Sequence, residues 1–295
     1  MIVRRQARAT LTVVELDIGD VLEFTLTNGA VRRLELAGTD AGVFWTTLKQ
    51  VKVPKGGCWT DYRFRARLRV DGEPLDMERE VATERSFYEP WETAGLRIWL
   101  DAVCGIGDFL NDNSDCLPRK AARLALQDAS LRICPETLHP WCPLPQGGLR
   151  IKDCYRGEDC WLGAYDGAVA HPGLDVNHPT GTPLWTPLAI DDHFLFNSLA
   201  AGDVNNRWRG FHRWEDGSRW ILQSSHMTEL TVPEHERIPK GTQYARGAGV
   251  HVGIYQHSHF FFAVEDAGKA IPLDPWILFW QMYRDAEANT SGPKA

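Results

Sequence analysis

Residues 62–70 have the sequence YRFRARLRV, in which apolar and charged side chains alternate without a break. Successive side chains of a β-strand point to opposite faces of the sheet, so the apolar residues share one face and the arginines share the other. The stretch therefore predicts a half-buried strand, which Asp71 and Gly72 end in a turn. The arginine face could grip an anionic polymer, but the acidic composition of the chain favours a solvated outer face of a sheet.

The sequence on both sides of this stretch predicts a chain organised in β-rich parts. The runs VLEFTL at 21–26 and VRRLEL at 31–36 flank a turn at Asn28 and Gly29, a pattern typical of a hairpin. We therefore expect a β-rich N-terminal domain over residues 1–97. An irregular, turn-rich connector is expected over 98–150, a second β domain over 151–285, and a flexible tail over 286–295.

Composition and charge restrict the class of protein. The chain has 295 residues, of which 43% are hydrophobic and 24% charged, as in ordinary globular domains. The net charge of -7 argues against nucleic acid and anionic membranes as partners. No run approaches the roughly 18 apolar residues of a membrane span. The first residues, MIVRRQAR, lack the apolar centre of a signal peptide, which predicts that none exists or that it has been removed.

The seven cysteines suggest an oxidised protein. Six of them lie in sequence-adjacent pairs within loop-like stretches, namely Cys104 with Cys116, Cys134 with Cys142, and Cys154 with Cys160, whereas Cys58 is left over. A cysteine zinc site is disfavoured because no C-x-x-C pair occurs. We expect disulfides and hence an extracytoplasmic protein, periplasmic or secreted. Isolated thiols are the alternative, since six cysteines allow 15 pairings.

A first candidate metal-binding motif occupies residues 171–175, HPGLD. It places the imidazole of His171 and the carboxylate of Asp175 four positions apart, and both groups are ligands that Zn²⁺ accepts. Pro172 and Gly173 disfavour a helix here, so we expect a bend that enters a strand at 174–176. A surface histidine beside a turn aspartate would have the same pattern.

A second candidate motif is His257-Ser258-His259, which precedes the apolar run FFFAV at 260–264. This run predicts a buried strand, on which residues two apart point to the same side. Two buried imidazoles side by side are costly unless they are hydrogen-bonded or bound to a metal. A pair of satisfied core histidines is the alternative to a metal site.

The order of these motifs resembles the lysostaphin-type (LytM-like) zinc metallopeptidases of bacterial cell walls. The resemblance covers residues 151–275 and rests on five elements in the family's order. They are His171 to Asp175, Gly181-Thr182-Pro183, Ser225-His226-Met227, Lys240-Gly241, and His257-Ser258-His259-Phe260. The Asp274-Pro275 pair also looks like the family's exit from its last strand.

The resemblance implies a fold, a cofactor and a mechanism. It implies a mainly β fold with an antiparallel metallopeptidase domain, and Zn²⁺ bound by His171, Asp175 and His259. His257 would be the general base, and His226 would stabilise the oxyanion or move a proton. The substrate would be a peptide bond in peptidoglycan or in another peptide. A degenerate, non-catalytic regulator or peptide-binding module is the alternative, although no ligand has been lost.

Some positions depart from the family or lie outside its motifs. Residues 253–256, GIYQ, replace a Gly/Pro-rich approach to the His-x-His strand, Phe261 replaces an acidic residue, and residues 187–208 do not align. His178 precedes Pro179 and is predicted to lie in a surface turn. Five further histidines have no partner at ligand spacing and are predicted to be non-catalytic: His139, His193, His212, His235 and His251.

Overall fold

The computed structural model describes residues 1–46, 60–110, 116–165, 169–196, 206–248, 256–266 and 268–290. The chain forms two compact units, of which one comprises Met1–Pro135 and Trp161–Pro172 and the other comprises Glu136–Cys160 and Gly173–Ala295. The strands of both units pair mainly in antiparallel sheets. The predicted fold class, mainly β with antiparallel sheets, is confirmed.

The first unit contains eleven of the described strands: β1 Ile2–Gln6, β2 Thr12–Leu16, β3 Val21–Thr25, β4 Val31–Thr46, β5 Thr60–Val70, β6 Glu73–Val81, β7 Trp91–Thr93, β8 Leu96–Val103, β9 Ala122–Asp128, β10 Ala164–Tyr165 and β11 Val169–Ala170. One sheet has the order β1-β3-β4-β5-β6, a second has the order β2-β9-β8-β7, and β10 and β11 form a hairpin. Short 3-10 helices cover Glu84–Ser86 and Cys104–Asp108.

Strand β5 confirms the alternation at 62–70. Its apolar residues are buried in the core, while three of its four arginines lie opposite acidic residues of β6. Arg63 pairs in register with Glu80, and Arg65 forms an ion pair with Glu78. The arginines are exposed, so this side of β5 is a solvated outer face, as the sequence predicts, and acidic residues of the neighbouring strand offset its charge.

The stretch predicted as an irregular connector contains regular structure. Most of β8 and all of β9 fall within residues 98–150, and every residue of β9 is buried. Both faces of β9 are covered, and Ala125 and Asp128 interrupt the alternation of its sequence, ARLALQD, that would mark a half-buried strand. Its Arg123 is buried against the Asp101 carboxylate, with Nε 2.6 Å from Oδ2.

The second unit contains β12 Leu174–Asn177, β13 Pro183–Trp185, β14 Asp192–Phe196, β15 Asn206–Arg213, β16 Arg219–Met227, β17 Gln243–Arg246, β18 His257–Asp266, β19 Lys269–Leu273 and the helix α1 Trp276–Thr290. The main sheet has the order β12-β18-β16-β15-β14, with β19 also paired to β18, and β13 pairs with β17. Two 3-10 turns cover Ile151–Asp153 and Tyr155–Gly157.

The helix α1 begins directly after the Asp274-Pro275 pair. The Asp274 carboxylate accepts a hydrogen bond from the Trp276 backbone N–H at 2.8 Å and so caps the first turn. Further along, Asp285 accepts hydrogen bonds from Gln281 and from the backbone of Leu138. Residues 286–290, which the sequence predicts as part of the tail, continue this helix.

The disulfide prediction is wrong for the part of the chain that the structure describes. None of its six cysteines forms a disulfide, and Cys58 lies outside the described residues. Five of the six are buried, and burial raises the pKa of Cys142 to about 12 and also raises that of Cys154. Protonated, buried thiols pack as small apolar side chains, and nearness in sequence does not provide disulfide geometry. Disulfides therefore no longer support the predicted extracytoplasmic location.

Among the described residues, no helix combines the length and the apolar character needed to cross a membrane.

Candidate metal centre

The antiparallel pair of β12 and β18 places Asp175 opposite His259 and Asn177 opposite His257. The first motif therefore enters β12 through a bend at Gly173, and both histidines of the second motif lie on a strand, as their sequences predict. One oxygen of Asp175, Oδ1, lies 2.9 Å from Nδ1 of His259, and the other, Oδ2, lies 3.2 Å from Nε2 of His257. A single buried carboxylate thus contacts both imidazoles of the His-x-His motif.

His171 completes a group of three candidate ligands. The end of the β10–β11 hairpin fixes its backbone, whose N–H donates to Gly163 O at 2.8 Å and whose carbonyl accepts from Leu162 N at 3.0 Å. One ligand atom from each of His171, Asp175 and His259 lies within 4.8 Å of the others. The three predicted ligands therefore converge, and His171 and Asp175 are 2% and 3% exposed.

Gly173 allows the chain to pass closely over His259. A Cβ at this position would overlap Cε1 of His259 and would lie 2.6 Å from its Nε2 and 2.5 Å from Phe260 O. Only a residue without a side chain fits here. The sequence pattern indicates Gly173 as part of a bend, but its approach to His259 depends on the pairing of β12 with β18.

Two imidazoles and one carboxylate fit a zinc ion. This donor set is found in catalytic zinc sites, where three protein ligands leave one position for water or substrate. Ligands at about 2.0 Å from a tetrahedral zinc lie about 3.3 Å from one another, close to the observed 2.9 Å between Asp175 and His259. No cysteine belongs to this group.

His226 joins the group from β16. It lies at an irregularity where the pairing of β15 and β16 shifts register, and its φ of 61° is rare for a residue other than glycine. Such bulges turn a side chain away from the regular alternation. The His226 ring centre is 4.8 Å from that of His257 and 6.5 Å from that of His259. All five predicted site residues are thus brought together.

Comparison with known proteins gives structural matches only. No protein-family model matches the chain, and no curated protein does. Lysostaphin from Staphylococcus simulans matches at 14% identity and a TM-score of 0.31, over 54% of this chain and 53% of that chain. The chain is similar in structure to lysostaphin-type peptidases.

Two longer matches are a putative M23 peptidase and a zinc-containing peptidase. The first, from Pseudomonas aeruginosa, has a TM-score of 0.33 and 14% identity, and covers 92% of this chain and 93% of that chain. The second, from Vibrio cholerae, has a TM-score of 0.29 and 11% identity, and covers 88% and 83%. This chain spans about half the length of lysostaphin. Structural similarity at these TM-scores does not establish an activity.

His178 is less exposed than its predicted place in a surface turn implies. It is half-buried, and its Nε2 is enclosed without a hydrogen-bond partner in the described chain. Its ring packs over Gly247, where a Cβ would lie 2.5 Å from Cε1. Burial is the main cause that lowers the pKa of His178, with a smaller contribution from His257. The pairing of distant segments, which the local sequence does not show, encloses this histidine.

The remaining described histidines lie outside the candidate metal group. His139, His212 and His235 contact Pro140 O, Asp191 and Asp192 respectively. His193 is fully buried, and both of its ring nitrogens lack hydrogen-bond partners among the described residues. His251 lies outside the described residues. No second group of three ligands occurs in the described ranges.

The buried His193 is expected to make the protein less stable in acid. Burial is the largest influence on its pKa, which is lowered, so below about pH 6.5 the unfolded chain binds a proton that the folded chain resists. The stabilising effect of neutral His193 is therefore complete above this pH and is lost as the pH falls below it. The free energy of unfolding should fall between pH 7 and pH 5, as measured by urea denaturation.

The variant His193→Phe should show a smaller fall over this pH range than the wild type. His235→Phe is the matched control, because His235 is exposed and pairs with the Asp192 carboxylate. An equal pH dependence in the wild type and in His193→Phe would show that His193 does not have this effect.

Proposed function

We propose that this protein is a zinc-dependent endopeptidase that hydrolyses peptide bonds, with bacterial peptidoglycan as the substrate. The observation that carries the proposal is the convergence of His171, Asp175 and His259, with the rings of His226 and His257 beside them. The motif order of lysostaphin-type peptidases supports the substrate class.

In this proposal, each residue has a separate task. His171, Asp175 and His259 would hold the zinc ion, which would supply Lewis acidity and lower the pKa of water. His257 accepts the proton of the attacking water and returns it to the leaving amine. Asp175 Oδ2, at 3.2 Å from Nε2, orients the His257 imidazole. His226, at the bulge of β16, donates a hydrogen bond to the developing oxyanion.

A wall substrate places the protein outside the cytoplasmic membrane. This location follows from the proposed substrate and replaces the argument from disulfides, which the structure does not support. We propose no nucleic-acid partner, in keeping with the net charge of -7.

The test is to measure the zinc content and the turnover of purified peptidoglycan for the wild type and for His257→Ala. Both proteins should hold one zinc per chain, because His257 is not among the three ligands. Cleavage by the variant should fall by about 10²- to 10⁴-fold, the contribution expected of a general base.

His212→Ala is the matched control for this test. His212 is also buried beside a carboxylate, that of Asp191, but it lies outside the candidate site. This variant should cleave like the wild type. Zinc-loaded wild type that binds peptidoglycan peptides without cleaving them would instead identify the non-catalytic binding module.

A further inference from the structure

An aromatic side chain that the proposed mechanism does not use lies against His257. The ring of Tyr155 is 4.4 Å from the His257 ring between centres, and the two planes are tilted by 32°. His226 approaches the imidazole edge-on at 4.8 Å, and Asp175 Oδ2 lies 3.2 Å from Nε2. Among the described residues, these three side chains lie against the His257 side chain, which is only 2% exposed.

The backbone before Tyr155 is anchored to β12, the strand that pairs with β18. Cys154 forms a β-bridge with Val176, and its carbonyl accepts a hydrogen bond from Asn177 Nδ2 at 2.8 Å. Asn177 lies opposite His257 in the pairing of β12 with β18. Asn177 thus links the backbone before Tyr155 to the strand position opposite His257.

The backbone after Tyr155 is held in a tight turn. Arg156 adopts φ 55° and ψ 5°, a left-handed conformation that side chains other than glycine seldom take. The turn is closed by Gly157 N–H, which donates to Cys154 O at 3.0 Å. The guanidinium carbon of Arg156 lies 5.1 Å from the centre of the Tyr155 ring. An uncommon backbone conformation therefore accompanies the placement of Tyr155.

We propose that Tyr155 is a positioning residue, whose ring holds the His257 imidazole in the orientation needed for proton transfer. The inference rests on the proposed function. A polar contact fixes one atom of an imidazole, whereas a ring packed at 4.4 Å also restricts rotation about the side-chain bonds. This contact is made by the aromatic ring, so a phenylalanine at position 155 should preserve it.

Kinetics on the zinc-loaded full-length protein provide the first test, with Tyr155→Ala and Tyr155→Phe. A misplaced catalytic group costs up to about 100-fold, so kcat for a soluble cross-link peptide should fall by about 10- to 100-fold in the alanine variant. KM and zinc content should remain within about threefold, and the phenylalanine variant should match the wild type.

Three kinetic outcomes would overturn the proposal. The first is a wild-type kcat in Tyr155→Ala. The second is a raised KM with unchanged kcat in Tyr155→Ala, which would indicate a substrate contact. The third is an equal loss of kcat in Tyr155→Ala and Tyr155→Phe, which would indicate chemistry at the hydroxyl. Tyr88→Ala is the matched control, because Tyr88 also packs on an aromatic neighbour, Trp91, at 5.3 Å, in the first unit.

Nuclear magnetic resonance of the His257 ring protons provides a readout that needs no activity. In the wild type the Tyr155 ring current should shift these signals, which can be assigned with His257→Ala. The shift should persist in Tyr155→Phe and disappear, with line broadening, in Tyr155→Ala. An inactive wild type would contradict the proposed function but not the positioning role, which these signals test separately. Identical His257 signals in the wild type, Tyr155→Phe and Tyr155→Ala would contradict the positioning role.

Discussion

Zinc binding and hydrolysis should both be lost when Asp175 is replaced by alanine. One of its oxygens lies 2.9 Å from His259 Nδ1 and the other 3.2 Å from His257 Nε2, so the substitution removes a ligand and leaves two histidines without their common carboxylate. Removing a residue that merely supports a metal ligand costs about 10- to 100-fold in metal affinity. Removing a ligand should therefore weaken zinc binding by more than about 100-fold.

Isothermal titration with zinc and cleavage of a cross-link peptide measure these two effects of Asp175→Ala. The matched control is Asp192→Ala, since Asp192 also lies 3.2 Å from a histidine, His235, but is half exposed. This control should bind zinc and cleave like the wild type. Zinc affinity within threefold of the wild type in Asp175→Ala would show that this carboxylate is not a ligand.

The second large effect is expected from Gly173→Ala, a change of one methyl group. The new Cβ would overlap His259 Cε1 and would lie 2.5 Å from Phe260 O. Because the backbone oxygen cannot rotate away, either His259 or the chain at residue 173 must move. We expect zinc affinity to fall by about 10- to 100-fold and the free energy of unfolding to fall by about 1–3 kcal/mol.

The matched control for Gly173→Ala is Gly42→Ala. Gly42 lies in β4 without a positive φ, and a Cβ there would meet no atom within 4 Å. This control should keep both zinc affinity and stability, as measured by titration and by urea denaturation. If Gly173→Ala matched it in both measurements, the close approach to His259 would not constrain the site.

The parts of this structure that were predictable have a local signal in the sequence. The alternation in residues 62–70 is visible because β5 has one buried face and one outer face. The placement of His257 and His259 on a strand follows from the apolar run after them. By contrast, β9 is buried on both faces, and Ala125 and Asp128 interrupt its alternation, so its sequence predicts part of a connector.

The parts of the site that were not predictable depend on contacts between distant residues. Tyr155 reaches His257 across about a hundred positions of sequence, and Gly173 meets His259 only because β12 pairs with β18. The cysteine pairing failed for a related reason. Nearness in sequence does not imply nearness of the sulfur atoms in space, and five of the six described cysteines are buried.

The central claim is that His171, Asp175 and His259 bind one zinc ion, and X-ray absorption at the zinc edge of the loaded full-length protein tests it most directly. The expected spectrum shows one zinc per chain with only nitrogen and oxygen ligands, at about 2.0–2.2 Å, and an imidazole signature. The same zinc environment should be absent in Asp175→Ala. A sulfur contribution at about 2.3 Å would place the metal on cysteines and would contradict the claim.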